Sequence, residues 1–294
     1  MDFDYWFMFP VAITIATVAM ASGVEGATFF TPLLIIGLRL PVDVAVATGL
    51  ITEVFGFSSG VYAYFRRGLI DYRLGRMLLM VTIPLALFGT WVGQFIPDIF
   101  LRGILALGLL AIAIGFLWPV HGGEPKGLEN EMVSLNENSF TLTAKSGEIF
   151  HYHIPDPSQG QLLAAIGALF LGMVSTGLGE MNGYFLIQRC RIPNAVAVAT
   201  SVFTVAITAL AASVGHAVKF IQAGDDSWSL VLSIVVFTAP GVVIGGQLGS
   251  WVARKLPQAI WEKGMGILFT LVGLIFLGEI LLEQRAILVS FFLG

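Results

Sequence analysis

The stretch Pro41-Val-Asp-Val-Ala-Val-Ala-Thr48 occurs twice in this chain. It returns 152 residues later as Pro193-Asn-Ala-Val-Ala-Val-Ala-Thr200, with six of its eight positions identical. A second match follows at a displacement of 156 residues, with Pro84, Gly89 and Gly93 against Pro240, Gly245 and Gly249. Because the two matches keep the same order and each lies in the corresponding apolar segment, we predict two homologous halves.

The composition places both halves in a membrane. Of the 294 residues, 56% are hydrophobic and 12% are charged, whereas a soluble domain carries about 25% charged residues. Apolar segments suited to transmembrane helices fall at 5–38, 41–65, 77–96, 99–118, 160–190, 193–221, 228–252 and 260–282. The acidic start lacks the basic region of a signal peptide, so we expect the first segment to stay in the mature protein. The single cysteine, Cys190, allows no disulfide within the chain.

Two of the apolar segments are interrupted, the first at 22–26 and the fifth at 175–183. Each break is rich in glycine and contains a carboxylate. Interrupted segments in matching places of two repeats indicate the binding site of a transporter. A polar stretch separates the halves, and its alternating residues at 140–143 and 149–154 predict a β-hairpin. We therefore divide the chain into a transmembrane repeat at 1–118, a soluble insert at 119–159 and a second transmembrane repeat at 160–294.

The distribution of Lys and Arg favours inverted halves. If all eight segments cross fully, the 13 basic residues outside the insert divide six to seven between the two sides. If the fifth segment instead enters and leaves on one side, they divide nine to four, which satisfies the positive-inside rule. We predict an all-α polytopic protein of the cell inner membrane with two inverted repeats, each with a broken or re-entrant first segment and three transmembrane helices. The insert would be cytoplasmic and the N-terminus outside.

A distinctive set of motifs follows each break. In the first half these are Thr31-Pro32-Leu33-Leu34, Gly37, Pro41 and 45–49, and in the second half Gly177-Leu178-Gly179, Pro193 and 197–201. This combination resembles the TauE/SafE sulfite exporter family over both halves but not over the insert. The resemblance implies a secondary transporter for a small sulfur-containing anion, such as sulfite or an organosulfonate. The chain departs from the family pattern where Glu25 and Glu180 interrupt the glycine runs, and where 184–190 replaces a Pro-Leu-Leu continuation.

The breaks themselves favour an anion. A helix that starts after a break directs its free N–H groups and its positive dipole end at the break. Glycines would let a ligand approach the backbone, and hydroxyl and amide side chains would add donors. The predicted substrate-binding residues are Ser22, Gly23, Gly26, Thr28, Thr48, Ser175, Thr176, Gly177, Asn182, Thr200 and Ser201. The alternative is that the hydroxyls bond to their own helices and the glycines only allow close packing.

Three carboxylates lie inside apolar sequence, namely Glu25, Glu53 and Glu180. An ionised carboxylate is costly to bury, so it tends to pair, to face a cavity or to take up a proton. Proton uptake would couple proton movement to the anion. The alternative is that each carboxylate accepts hydrogen bonds from the freed backbone amides. A third interpretation is a cation carrier of the same fold, in which Glu25 and Glu180 bind or balance the cation.

Other functions lack their motifs. The sequence has no Gly-x-x-x-x-Gly-Lys-Ser/Thr for ATP and no catalytic pair of an intramembrane enzyme, so we predict neither a cofactor nor an enzyme. His151 and His153 share a face of the hairpin but lack a third ligand, so we predict no metal. The expected partners are the anion and membrane lipid, and not nucleic acid. A homo-oligomer and a protein partner or sensor role at 119–159 stay open.

Overall fold

A computed structural model describes residues 3–22, 25–117, 139–223, 227–252 and 258–293. In the first half the helices are α1 Met8–Ser22, α2 Ala27–Pro32, which continues as a π-helix over Leu33–Gly37, α3 Val42–Arg67, α4 Tyr72–Gly93 and α5 Asp98–Leu117. Strands β1 Ser139–Thr143 and β2 Ile149–His153 follow. In the second half the helices are α6 Pro157–Val174, α7 Leu178–Gly183, which continues as a π-helix over Tyr184–Arg189, α8 Asn194–Ala223, α9 Ser227–Val252 and α10 Gln258–Leu293.

Within the described ranges, six helices are long and apolar enough to cross a membrane: α3, α4, α5, α6, α8 and α9. This confirms a helical, polytopic membrane protein with a small two-stranded sheet. Helix α6, in the interrupted fifth segment, is 18 residues long. In α10, Gln258–Leu293, the apolar part that lies within the described residues is Gly266–Leu282.

The first helix of each half packs against the fourth helix of the other half. Helix α9 presents a glycine every four residues to α1, and a Cβ added at Gly241 would lie 2.7 Å from the carbonyl oxygen of Phe9. One at Gly249 would lie 2.6 Å from that of Thr17. Helix α6 crosses α4 in the same way, with Gly172 against the backbone of Ala86. Glycine permits such backbone contact between membrane helices.

Equivalent helices of the two halves run antiparallel. Asp43, at the start of α3, forms an ion pair of 3.0 Å with Lys219 near the end of α8, and Gly60 near the end of α3 lies against Val202 near the start of α8. Helices α5 and α10 are also antiparallel, since Gly273 lies against Leu110 and Gly266 against Leu117. Halves related by a twofold axis in the membrane plane require such contacts. The inverted relation itself stays a prediction, which these contacts support.

The backbone after each break also repeats at the displacement of 152 residues. Arg39 and Arg191 both adopt a left-handed conformation with φ 52°. In each half the next residue donates its N–H six positions back, at 3.2 Å from Leu40 to Leu34 and at 2.9 Å from Ile192 to Leu186. The halves therefore share local structure well beyond their matching motifs.

The fifth segment folds back on itself. After the break at 175–177, the backbone at 177–178 lies against Gly167, and the ring of Phe185 lies against Gly160. The side chain of Arg189 then donates 3.3 Å to Gln159 at the start of α6. Because later residues meet progressively earlier positions of α6, the segment returns to the side it entered.

The predicted hairpin is present and packs on the turn between α3 and α4. Its strands pair antiparallel, with Phe140 opposite Tyr152. The Tyr152 hydroxyl donates to the carboxylate of Asp71, the N-cap of α4, and the N–H of Lys145 donates 3.0 Å to the carbonyl of Arg67. The part of the predicted insert at 119–138 lies outside the described residues.

Candidate functional site

A partly open cavity of about 180 Å³ lies between the two breaks and helices α1, α3, α8 and α9. The polar groups along its wall come from the breaks and from α3 and α8: Glu25, Gly26, Glu53, Tyr64, Gly179 and Ser201. The rest of the wall is mainly apolar, with side chains such as Phe57, Val202 and Val242. The cavity therefore combines a polar end at the breaks with an apolar body.

The first break is held by a carboxylate of α3. Glu53 lies in the buried middle of that helix with 3% of its surface exposed, and its Oε1 accepts a 3.3 Å hydrogen bond from the N–H of Ala27. Ala27 is the first residue of α2, so this N–H has no partner within its own helix. Glu53 thus supplies the acceptor that the start of the helix lacks.

The second break has an unusual backbone. Ser175 ends α6 in a left-handed conformation with φ 59°, and Gly177 has φ 114°, which a side chain would strain. The N–H of Gly177 donates 3.1 Å to Oε2 of Glu180, three residues on. The N–H of Gly179 donates to Oε1 of Glu25, which belongs to the first break. A carboxylate of one half therefore binds a helix start of the other half.

Two further contacts join the breaks. The hydroxyls of Thr28 and Thr176 lie 2.8 Å apart, and those of Thr31 and Ser175 are also hydrogen-bonded. All four side chains are buried. The breaks thus meet at one place, and a single binding site between the halves stays a prediction.

Several polar atoms at this place are buried without a hydrogen-bond partner in the described part of the chain. They are Glu25 Oε2, Glu53 Oε2, Glu180 Oε1 and Asn182 Nδ2. The carboxyl groups of Glu25, Glu53 and Glu180 interact electrostatically. Buried carboxyl oxygens without partners are costly when ionised, so a proton or a ligand would stabilise them. Among the described residues, no group of three His, Cys, Asp or Glu is placed to hold a metal ion.

Comparison with known proteins decides the family. The profile of the family described as "Sulfite exporter TauE/SafE" matches residues 8–276, which include both breaks and both copies of the repeated motif. The chain belongs to the TauE/SafE family.

Two relatives of the TauE/SafE protein come from Bacillus subtilis (strain 168). "Probable membrane transporter protein YunE" is 23% identical over 231 residues, which cover 79% of this chain and 79% of that protein. "Probable membrane transporter protein YdhB" is 21% identical over 255 residues, which cover 87% of this chain and 93% of that protein. No solved structure matches the chain. The protein is therefore a multi-pass membrane transporter, and not an enzyme, as the sequence indicates.

The structure of this TauE/SafE protein does not bring all the predicted binding residues to the cavity. The Thr48 hydroxyl donates a 2.7 Å hydrogen bond to the carbonyl of Val44 in its own helix. This agrees with the alternative interpretation, in which the hydroxyls bond to their own helices. Thr200 accepts a 3.0 Å hydrogen bond from the N–H of Asp71, so it holds α4. Ser201 lines the cavity. The side chain of Ser22, and Gly23 as a whole, lie outside the described residues.

The two glutamates of the breaks are not equivalent to each other. At the displacement of 152 residues, Glu25 corresponds to Gly177, and Glu180 corresponds to Thr28. The glutamates occupy equivalent breaks but different positions within them. A symmetric pair of carboxylates is therefore absent from this site, and each has its own hydrogen-bond partner.

Sequence reasoning missed two parts of the site. Tyr64 lines the cavity with Glu53, Gly56 and Phe57. These residues share one face of α3 because their spacings follow the helical repeat. The spacing from Glu53 could therefore have predicted that Tyr64 lies on the same face. Thr31, which bonds to Ser175, lies in the motif after the first break, but nothing in the sequence names its partner.

Proposed function

We propose that this protein is a secondary transporter that moves a small sulfur-containing anion, of the sulfite or organosulfonate class, across the cytoplasmic membrane. In this proposal the movement is coupled to protons through Glu25, Glu180 and Glu53. The observation that carries the proposal is the hydrogen bond from Gly179 N–H to Glu25, because it joins the two breaks beside the cavity. Membership of the TauE/SafE family supports the anion class.

The geometry supplies what an oxyanion needs. Ala27 and Gly179 lie at the starts of the helical segments that follow the two breaks, where N–H groups and the positive end of the helix dipole favour negative charge. Gly179 and Gly26, the residue before Ala27, line the cavity, and two N–H groups close to it would suit an ion with several acceptor oxygens. The hydroxyl of Ser201 is a further donor in the wall. The apolar body of the cavity would accommodate the carbon chain of an organosulfonate.

The carboxyl groups explain why protons enter the proposal. An ionised Glu25 or Glu53 beside the cavity would repel an anion, and the described wall contains no Lys or Arg to offset that charge. A proton on the carboxyl removes the repulsion. Anion binding would then be stronger at acidic pH and would carry protons with it.

A cation carrier is the second candidate. The observation that favours it is the set of buried carboxyl oxygens without partners, Glu25 Oε2 and Glu53 Oε2, at the wall of the cavity. A monovalent cation could bind between them. This candidate predicts stronger ligand binding at alkaline pH, where the carboxyls are ionised, which is the opposite dependence.

A thermal-stability screen of the purified protein separates the two candidates. The probes are sulfite, thiosulfate, sulfate, taurine, sulfoacetate, sodium and potassium, each at one acidic and one alkaline pH. A ligand that binds the folded state raises the melting temperature. We expect a rise with sulfite or a sulfonate that is larger at acidic pH. A rise in melting temperature with cations alone, larger at alkaline pH, would show that the ligand is a cation and not an anion.

Transport by reconstituted vesicles then tests the role of the glutamates. Glu25→Gln keeps the size of the side chain and removes its charge, and Glu148→Gln in the exposed turn of the hairpin is the matched control. We expect Glu25→Gln to retain anion movement with a weaker pH dependence, because Glu53 and Glu180 can still take up protons, and we expect the control to be unchanged. That result would also exclude the cation carrier, which needs the charge.

A further inference from the structure

We propose that Glu25 and Glu53 are internal competitors of the transported anion, each holding one of two equivalent backbone N–H groups until a proton releases it. This inference rests on the proposed anion function and specifies how its binding site is kept closed. Its basis is geometric: two positions that correspond at the displacement of 152 residues, Ala27 and Gly179, both donate to a buried glutamate.

The two N–H groups receive their acceptors from different places. Ala27 donates to Glu53, which belongs to α3 of the same half. The residue equivalent to Glu53 in the second half is Val205, which lines the same cavity but has no polar atom in its side chain. The N–H of Gly179 is satisfied instead by Glu25, which reaches across from the first break. The two halves thus form equivalent hydrogen bonds with glutamates from non-equivalent positions.

This substitution of one acceptor for another indicates that both N–H groups need an acceptor from outside their own helix. A buried N–H without an acceptor is costly, so an empty site would favour a carboxylate there. Each glutamate uses one oxygen for the N–H and leaves the other, Oε2, without a partner among the described residues. A group that is satisfied on one side only is easier to displace than one held on both.

The groups around Glu25 favour uptake of a proton, which would release the Gly179 N–H from this carboxylate. The titratable groups that face it are Glu53 of α3 and Glu180 of α7, and Tyr64 of α3 lines another part of the same cavity. None of these described groups is a cation that would keep the carboxylate ionised. A protonated carboxyl is a weaker acceptor than a carboxylate, so an entering oxyanion can take over the N–H groups of Ala27 and Gly179.

The protons enter and leave with the anion. Each carboxylate that is ionised binds one proton, the neutral carboxyl turns away from its N–H, and the anion accepts both N–H groups. When the anion leaves, the protons leave and the carboxylates return. Binding of one anion is therefore linked to the uptake of roughly one to two protons, and its affinity falls about tenfold per pH unit for each proton.

The residues of the opposite half provide the test variants. Glu25→Gly and Glu53→Val place at each position the residue that its equivalent carries, Gly177 or Val205. The probes are sulfite and methanesulfonate, the second because its charge is constant over the working pH range. Binding is measured by calorimetry on the purified full-length protein, with Glu148→Gln as the control.

We expect the double variant to bind methanesulfonate with less than about a twofold change between acidic and alkaline pH, whereas the wild type changes at least about tenfold per pH unit. At alkaline pH the double variant should bind at least about tenfold more tightly than the wild type, because its N–H groups are free. Equal affinity of the two proteins at alkaline pH, or the same pH dependence in both, would overturn the inference alone. A lack of binding in every protein at every pH would overturn the proposed function with it.

A measurement on the wild type covers the case in which the variants do not fold. Titration in buffers of different ionisation enthalpy gives the number of protons taken up with the anion. We expect roughly one to two. Binding without proton uptake would show that the carboxylates do not compete, and would overturn the inference without any variant.

Discussion

Asp71 and Thr200 are joined by a 3.0 Å hydrogen bond from the backbone N–H of the first to the Oγ1 of the second. Asp71 caps α4 of the first half, since its Oδ1 accepts from the N–H groups of Arg73 and Leu74. Thr200 lies in α8 of the second half. The bond therefore fixes the starts of two helices from different halves at the same end of the bundle, and the Tyr152 hydroxyl ties the hairpin to the same carboxylate.

Removing the Thr200 hydroxyl should destabilise this junction. Thr200→Val keeps the shape of the side chain but leaves the buried N–H of Asp71 without its acceptor, which costs about 1–3 kcal/mol. We expect a lower melting temperature in detergent, measured by the fluorescence of the six Trp residues. Thr200→Ser retains the hydroxyl and serves as the control. Equal melting temperatures for the wild type and the Val variant would show that this hydrogen bond does not stabilise the protein.

The stabilisation that Tyr152 provides should be lost at alkaline pH. Burial, followed by the hydrogen bond to Asp71, raises the pKa of the Tyr152 hydroxyl above its usual range. Because the folded-state pKa lies above the unfolded one, the contribution is complete below about pH 10 and is lost as the pH rises further. We expect the wild type to melt at a higher temperature than Tyr152→Phe at neutral pH. The difference should shrink above about pH 10, and a difference that is constant with pH would contradict this prediction.

The crossing of α4 and α6 should not tolerate a methyl group. A Cβ at Gly172 would lie 2.9 Å from the backbone nitrogen of Thr90 and still closer to the carbonyl oxygen of Ala86. Since backbone of α4 cannot move without moving the helix, we expect Gly172→Ala to lower the free energy of unfolding by about 1–3 kcal/mol. In Gly108→Ala the new methyl group meets nothing within 4 Å, so stability should hold or rise by up to about 1 kcal/mol. The two melting temperatures are compared in the same detergent.

The orientation in the membrane can be read with introduced cysteines. On a Cys190→Ala background, Ser146→Cys places a thiol in the exposed turn of the hairpin, and Gln94→Cys places one between α4 and α5. We expect an impermeant reagent to label position 94 on intact cells and position 146 only after the membrane is opened. The reverse pattern would overturn the predicted orientation, and labelling of both from outside would contradict a single crossing by α4.

The sequence predicts the two halves, the helices and the position of the breaks, because these depend on apolar length, glycine content and repeated motifs. It does not predict which atoms the polar side chains meet. Thr48 and Thr200 occupy matching places, yet one bonds to its own helix and the other to Asp71. The difference arises from the assembled neighbours, which a repeat cannot specify.

The same limit applies to the glutamates. Their apolar surroundings predict burial, which the structure confirms for Glu25 and Glu53 at 3% exposure. That Glu25 reaches a backbone N–H more than 150 positions away follows only from the meeting of the two breaks. An acceptor and a donor so far apart in sequence leave no local pattern.

The contact of α1 with α9 has a consequence for biosynthesis. Gly241 lies 229 positions after Ala12, its neighbour across the helix pair. At about 5–20 residues per second, roughly 10 to 50 seconds of translation separate the synthesis of the two helices. During this time the surface of α1 that will contact the glycines has no partner within the chain. We infer that the insertion machinery, or surrounding lipid, shields α1 until α9 is made, and that the first half cannot complete its packing before the second half has entered the membrane.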